Sequence, residues 1–192
     1  MLLARGVSAL LQPTITIVPL LVVLNGLSDP GVSVSQWFVW CCLTITFTTT
    51  LPSIAILALL RLGLISDLNI TDRRERPLPY VLMITCYLVG TEVAHLAGVP
   101  HRSVLVLFAG ALSLIGAAFV NQRYFKISIH TLSVALLVVA VMVVFGPATL
   151  PVFALLAGVW WARVTLHAHS PLEATAGALL GLAIGMCVFT LL

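Results

Sequence analysis

Seven apolar stretches, each near the length a helix needs to cross a bilayer, follow one another with only short polar interruptions. They run Val7–Leu27, Gln36–Leu62, Leu78–Val99, Ser103–Val120, Ile129–Phe145, Leu150–Leu166 and Leu172–Leu192. A span needs ~20 mostly apolar residues to cover ~30 Å of hydrocarbon. Of the 192 residues, 61% are hydrophobic and 8% charged, against roughly 45–50% apolar in soluble domains. Strand alternation is absent, and in lipid a helix satisfies its own backbone without a partner. The expectation is an all-α integral membrane protein: one transmembrane domain over residues 1–192, a bundle of six to seven helices.

The first stretch is the least regular, because Arg5 precedes it and Pro13 and Pro19 interrupt it. No small-residue cleavage site follows, so a retained helix is expected rather than a signal peptide. Cys41, Cys42, Cys86 and Cys187 lie inside apolar runs without metal or disulfide spacing, which makes them candidate core residues. No metal or cofactor is expected. Nine basic and six acidic residues give a net charge of +3, too few for a nucleic-acid surface.

The charges collect in three patches: Asp67 to Arg76, Arg123 to Lys126, and Arg163 to Glu173. Two spans separate the first patch from the second, and two more separate the second from the third, so all three share one membrane face. Ser28–Ser35, Pro100–Arg102, Gly146–Thr149 and the C-terminus fall on the other. The positive-inside rule would turn the basic face to the cytoplasm, unless the cations are held in a site. Ionisable groups beside lipid are costly and mark function by default.

Each patch has a chemical and a structural reading. In the first, Arg73, Arg74 and Arg76 stand before Pro77 and Pro79, and an arginine fork matches phosphate oxygens bidentately; alternatively, Asp72 and Glu75 simply pair these arginines in an interfacial loop. In the second, Lys126, Ser128 and His130 stand at a helix entrance, where amides and dipole favour an anion and an imidazole could protonate a leaving group; alternatively, Ser128 is only an N-cap. In the third, His169 and Glu173 are four apart, so on a helix the carboxylate holds one ring nitrogen; alternatively, they form a satisfied interfacial pair.

These residues resemble the type 2 phosphatidic acid phosphatase superfamily, whose signatures are K-x6-R-P, P-S-G-H and S-R-x5-H-x3-D. Ala162-Arg163, His169 and Glu173 match the third in spacing, with alanine for serine and glutamate for aspartate. Ser128 and His130 match the second, with Ile127 and Ile129 for proline and glycine. Arg76-Pro77 matches the end of the first, with Asn69 at the lysine position. The resemblance covers about Asn69 to Gly181 and implies a compact, divergent, bacterial-type member in the inner (cell) membrane. It further implies that His169 attacks phosphorus, Glu173 orients it and His130 protonates the leaving oxygen. Arg76, Arg163 and Ser128 would hold the phosphoryl group, with Arg73 or Lys126 in place of the missing lysine.

The function so implied is a metal-independent lipid phosphatase or phosphotransferase acting through a phosphohistidine on a lipid phosphate or polyprenyl diphosphate. Water and an alcohol acceptor differ only in which attacks the phosphohistidine. An intramembrane prenyltransferase is a second enzyme reading, prompted by Asp67 and Asp72, although such sites need another acidic cluster. A transporter or non-catalytic lipid-binding or anion-binding protein is the third, with Glu92 and His95 as an intramembrane relay or a polar helix contact.

Overall fold

The computed structural model describes residues 1–27 and 31–191; Ser28, Asp29 and Pro30 of the expected opposite-face loop, and Leu192, lie outside them. Among the described residues every regular element is helical. The helices are α1 (Leu2–Leu10), α2 (Pro13–Gly26), α3 (Val34–Ile45), α4 (Leu51–Arg61), α5 (Pro77–Leu96), α6 (His101–Arg123), α7 (Ile129–Phe145), α8 (Phe153–Thr165) and α9 (Pro171–Leu191). Five helical stretches are long and apolar enough to cross a membrane, or six if the bent pair α1–α2 is one span. The chain is accordingly built as a multi-pass membrane protein.

Two expected spans differ in detail. The first is two helices meeting at 41°, broken at Leu11-Gln12 because Pro13 lacks the amide that would continue α1 and instead opens α2. α7 has the composition of a span, but its 17 residues give about 26 Å at 1.5 Å per residue. The stretch from Gln36 to Leu62 is one continuous helical run, with α3 passing into α4 through a π-helical segment, Thr46–Thr50. Pro52 has no N–H for the carbonyl four residues back, and that carbonyl, on Thr48, accepts from the Tyr87 hydroxyl at 3.3 Å. A polar partner from α5 thus meets the want that proline creates.

The chain gathers into two compact units: Met1–Ile17 with Phe119–Leu192, and Val18–Ala118. In the first, α7 packs against α8 and α9, and Val134, Val138 and Val159 form a buried cluster joined by Leu11, Val152, Phe153 and Leu156. In the second, buried side chains include Leu21, Leu24, Trp40, Leu107 and Ala109. Of the cysteines only Cys41 is buried; Cys42 and Cys187 face outward and Cys86 is intermediate. The core expectation therefore fails for Cys42 and Cys187, since an outward thiol on a lipid-facing helix needs no protein cover.

Candidate active site

The third patch is a turn built from two helix ends. At the end of α8 the His167 amide donates to the Val164 carbonyl (3.0 Å) and the Ala168 amide to the Arg163 carbonyl (3.1 Å), the paired bonds of a Schellman motif. His167 occupies the left-handed position, φ 51°, which histidine visits more readily than most non-glycine residues. Its role is in the backbone, which sequence reasoning missed. The His169 amide also reaches the Arg163 carbonyl at 3.3 Å. The spacing Arg163 to His169 is thereby set: one helix stops, the chain turns once, and the next begins.

α9 starts with a reciprocal capping box. Ser170 Oγ accepts from the Glu173 amide (3.3 Å), and Glu173 Oε2 accepts from the Ser170 amide (3.1 Å). The Ser-x-x-Glu signature was visible in the sequence beside Pro171. The same Oε2 lies 3.1 Å from His169 Nδ1. With a carboxylate as acceptor, the neutral ring carries its proton on Nδ1 and presents its lone pair on Nε2. The His169 side chain is 5% exposed, so that orientation is held by packing as well as by the carboxylate.

The second patch meets this turn through α7. The Ser128 amide donates to the Glu173 carbonyl at 3.3 Å, and Ser128 Oγ caps the helix by accepting from the Thr131 amide at 3.5 Å. Ser128 is fully buried; its amide is committed, and its hydroxyl proton is what it has left to donate. Lys126 Nζ donates to the Ala168 carbonyl at 3.0 Å, which places this candidate phosphate ligand on the turn between α8 and α9. His130, half-buried, lies where the charge of Arg163 acts on its imidazole.

Close helix approach makes these contacts possible. A Cβ on Gly177 would sit 2.5 Å from both the Ser128 carbonyl oxygen and Thr131 Oγ1, one on Gly181 would strike the Leu132 carbonyl oxygen, and one on Gly185 would come 3.0 Å from Val139 Cβ. Small residues every fourth position let two backbones touch. Arg163 is held from another side, its Nη1 donating to Ser8 Oγ of α1 at 3.0 Å, a partner that no sequence pattern suggested.

Arg73 and Arg76 belong to the second compact unit, so their part in the site rests on the count of spans. Arg76 is buried at 6% exposure, and its Nε donates to the Ile70 carbonyl at 2.9 Å. The carboxylates around it serve the loop backbone. Asp67 accepts from the Asn69 and Thr71 amides (2.7 and 3.0 Å), Asp72 from the Arg74 amide (2.8 Å), and Glu75 from the Ser66 amide and hydroxyl (2.7 and 3.0 Å). Burial alone would push Asp67 up, but the hydrogen bonds from Thr71, Asn69 and Ile70 outweigh it and hold its carboxyl below the usual value. Glu92 and His95 are exposed on α5. Among the described residues no three His, Cys, Asp or Glu side chains gather as a metal site requires. Compared with protein-family models, curated proteins and solved structures, the chain matches none.

Proposed function

We propose that this chain is a membrane-embedded lipid phosphatase or phosphotransferase that works through a phosphohistidine, with a core similar to that of the type 2 phosphatidic acid phosphatases over about Asn69 to Gly181. One observation carries the reading: the His169–Glu173 pair, with Nδ1 held by a carboxylate, is bonded through the Glu173 carbonyl to the entrance of α7, where Ser128 and His130 stand. An oriented imidazole, an anion-favouring helix start and an arginine are what phosphoryl transfer needs, since that reaction depends on positioning and on charge stabilisation at the equatorial oxygens.

In the proposed step, His169 Nε2 attacks phosphorus, a P–N bond forms and the P–O bond to the leaving group breaks. Glu173 stabilises the imidazolium that results. His130, whose protonation the bound phosphate's negative charge favours against burial and the cationic Arg163, gives its proton to the departing oxygen and then accepts one from the incoming water or alcohol, whose oxygen displaces Nε2 and frees phosphate or a new phosphoester. Arg163 holds the phosphoryl oxygens and the Ser128 hydroxyl adds a donor; for Arg76 and Arg73 the same task rests on the family resemblance alone. The substrate class is a lipid phosphate or polyprenyl diphosphate whose tail stays in the bilayer, and the setting is the cell membrane.

A second reading has its own observation. Glu173 closes a capping box, and a non-catalytic anion-binding membrane protein or transporter would need that box equally. The discriminating experiment measures phosphate release from a panel of lipid phosphates and diphosphates with EDTA present, for wild type, His169→Ala and His130→Ala. Release by wild type that is lost with His169→Ala supports the enzyme. Release unchanged in both variants overturns the mechanism, and no release across the panel favours the binding protein.

A further inference from the structure

We propose that Ser8 of α1 is a positioning residue for the anion site: its Oγ holds the Arg163 guanidinium in the orientation that receives a phosphoryl group, which makes the N-terminal helix part of the site. The inference rests on Arg163 acting as the phosphate ligand. The two residues stand 155 positions apart, yet Nη1 and Oγ are 3.0 Å apart, and Ser8 is 7% exposed. The serine end of the bond is therefore sheltered, while Arg163 is half-buried.

α1 is built to make this contact. Its buried residues are Ala4 and Ser8, one turn apart and so on one face. A Cβ added to Gly158 of α8 would come within 3.8 Å of Val7, so α1 runs beside α8 there, and Leu11 packs on the Val134–Val138–Val159 cluster. Met1, Leu2, Leu3 and Leu10 are 70–85% exposed, an outward surface suited to lipid. Packing alone would be served by alanine at position 8, as it is at position 4. A buried hydroxyl there has the Arg163 fork as its partner.

The choice of serine has a chemical consequence. A guanidinium offers five donors in one plane, and bidentate capture of phosphate requires that plane to face the anion. One neutral acceptor at one nitrogen stops the plane from rotating while leaving the positive charge intact. A carboxylate in the same place would also orient the fork, but it would neutralise the charge and compete with the substrate. The backbone of Arg163 is fixed independently by the Schellman bonds at the end of α8, so Ser8 acts on the side chain and not on the turn.

The test uses the full chain in lipid nanodiscs and inorganic phosphate as probe, read by isothermal calorimetry, with melting followed in parallel. Ser8→Ala is expected to weaken phosphate binding by about tenfold, the scale of one hydrogen bond to a charged group, at a melting temperature close to wild type. Ser8→Thr, which restores the hydroxyl, is expected to recover it. Should the alanine protein fail to fold, Ser8→Cys keeps the volume with a weaker acceptor and should give an intermediate loss. Wild-type affinity in Ser8→Ala, loss that Ser8→Thr does not recover, or absence of phosphate binding by wild type would overturn the proposal. Phosphate binding that depends on Ser8 without phosphate release from any lipid removes the hydrolytic reading and leaves the positioning role. Release without any effect of Ser8 removes the positioning role alone.

Discussion

The backbone amide of Ser128 donates to the backbone carbonyl of Glu173 at 3.3 Å, bonding the entrance of α7 to the first turn of α9. Two charged segments separated by a pair of helices are thereby joined at the backbone, and the joint lies at the residue whose side chain holds His169. Any change that parts α7 from α9 also moves the carboxylate that orients the imidazole.

The two tasks of Glu173 can be separated by substitution. Glutamine closes a capping box as glutamate does, so Glu173→Gln should leave stability within about 0.5 kcal/mol of wild type. It removes the negative charge beside His169, and turnover should fall by on the order of 100-fold or more. Glu173→Ala loses the cap as well, costing about 1 kcal/mol further. Thermal melts and phosphate release together check this; equal turnover for Glu173→Gln and wild type would assign the residue to the cap alone.

Gly177→Ala places a Cβ 2.5 Å from the Ser128 carbonyl oxygen and Thr131 Oγ1. Overpacking of this kind costs about 1–3 kcal/mol, and because the clash is with backbone the helices must separate. The expected result is a lower melting temperature together with a loss of activity larger than the loss of folded protein. Gly158→Ala, whose new Cβ meets only Val7 at 3.8 Å, is the control and should lower neither, since alanine is the better helix former.

Tyr87→Phe removes the hydroxyl that donates to the Thr48 carbonyl, leaving a buried acceptor short of a partner at a cost of about 1–2 kcal/mol. Pro52→Ala supplies an amide four residues on and should reduce that cost. A double-mutant cycle on unfolding free energy reads the coupling; additive effects would show that Pro52 and Tyr87 do not share the Thr48 carbonyl.

Asp67 sets a pH limit on its loop. Its carboxyl is held below the usual value by amides that outweigh burial, so the stability it lends is present above the unfolded pKa, about 3.9, and is lost as pH falls through the lower folded value. Hydrogen exchange at the Asn69 and Thr71 amides, corrected for intrinsic rates, should show constant protection from neutral pH to about 4 and loss below it. In Asp67→Asn the acid dependence should vanish; persistence there would place its origin elsewhere.

Much of the candidate site was legible because its residues are close in sequence. His169 and Glu173 share a helix face by spacing alone, and Pro171 announced where α9 begins. Ser170 as the partner of Glu173 is equally local, three residues away in a capping-box spacing. The place of His167 in the turn was not legible, since a left-handed backbone angle is imposed by the turn and leaves little mark on residue type. Pro13 marked the break in the first span, but the 41° bend depends on what α1 and α2 pack against. Lys126 shows the reverse case: its charge was visible, while its bond to the Ala168 carbonyl depends on a turn folded from the other side of two helices.

By itself the sequence determined the class and the run of helices. In a bilayer, backbone groups must be satisfied within each segment and apolar length sets what can cross, both of which are local properties. Only the tertiary structure decided which helix entrances meet. Ser128 with Glu173, Ser8 with Arg163 and the glycine face of α9 with α7 are unions of distant segments. They are selected by which surfaces allow backbones to touch and which buried polar atoms then find partners, and no single stretch of the chain contains that information.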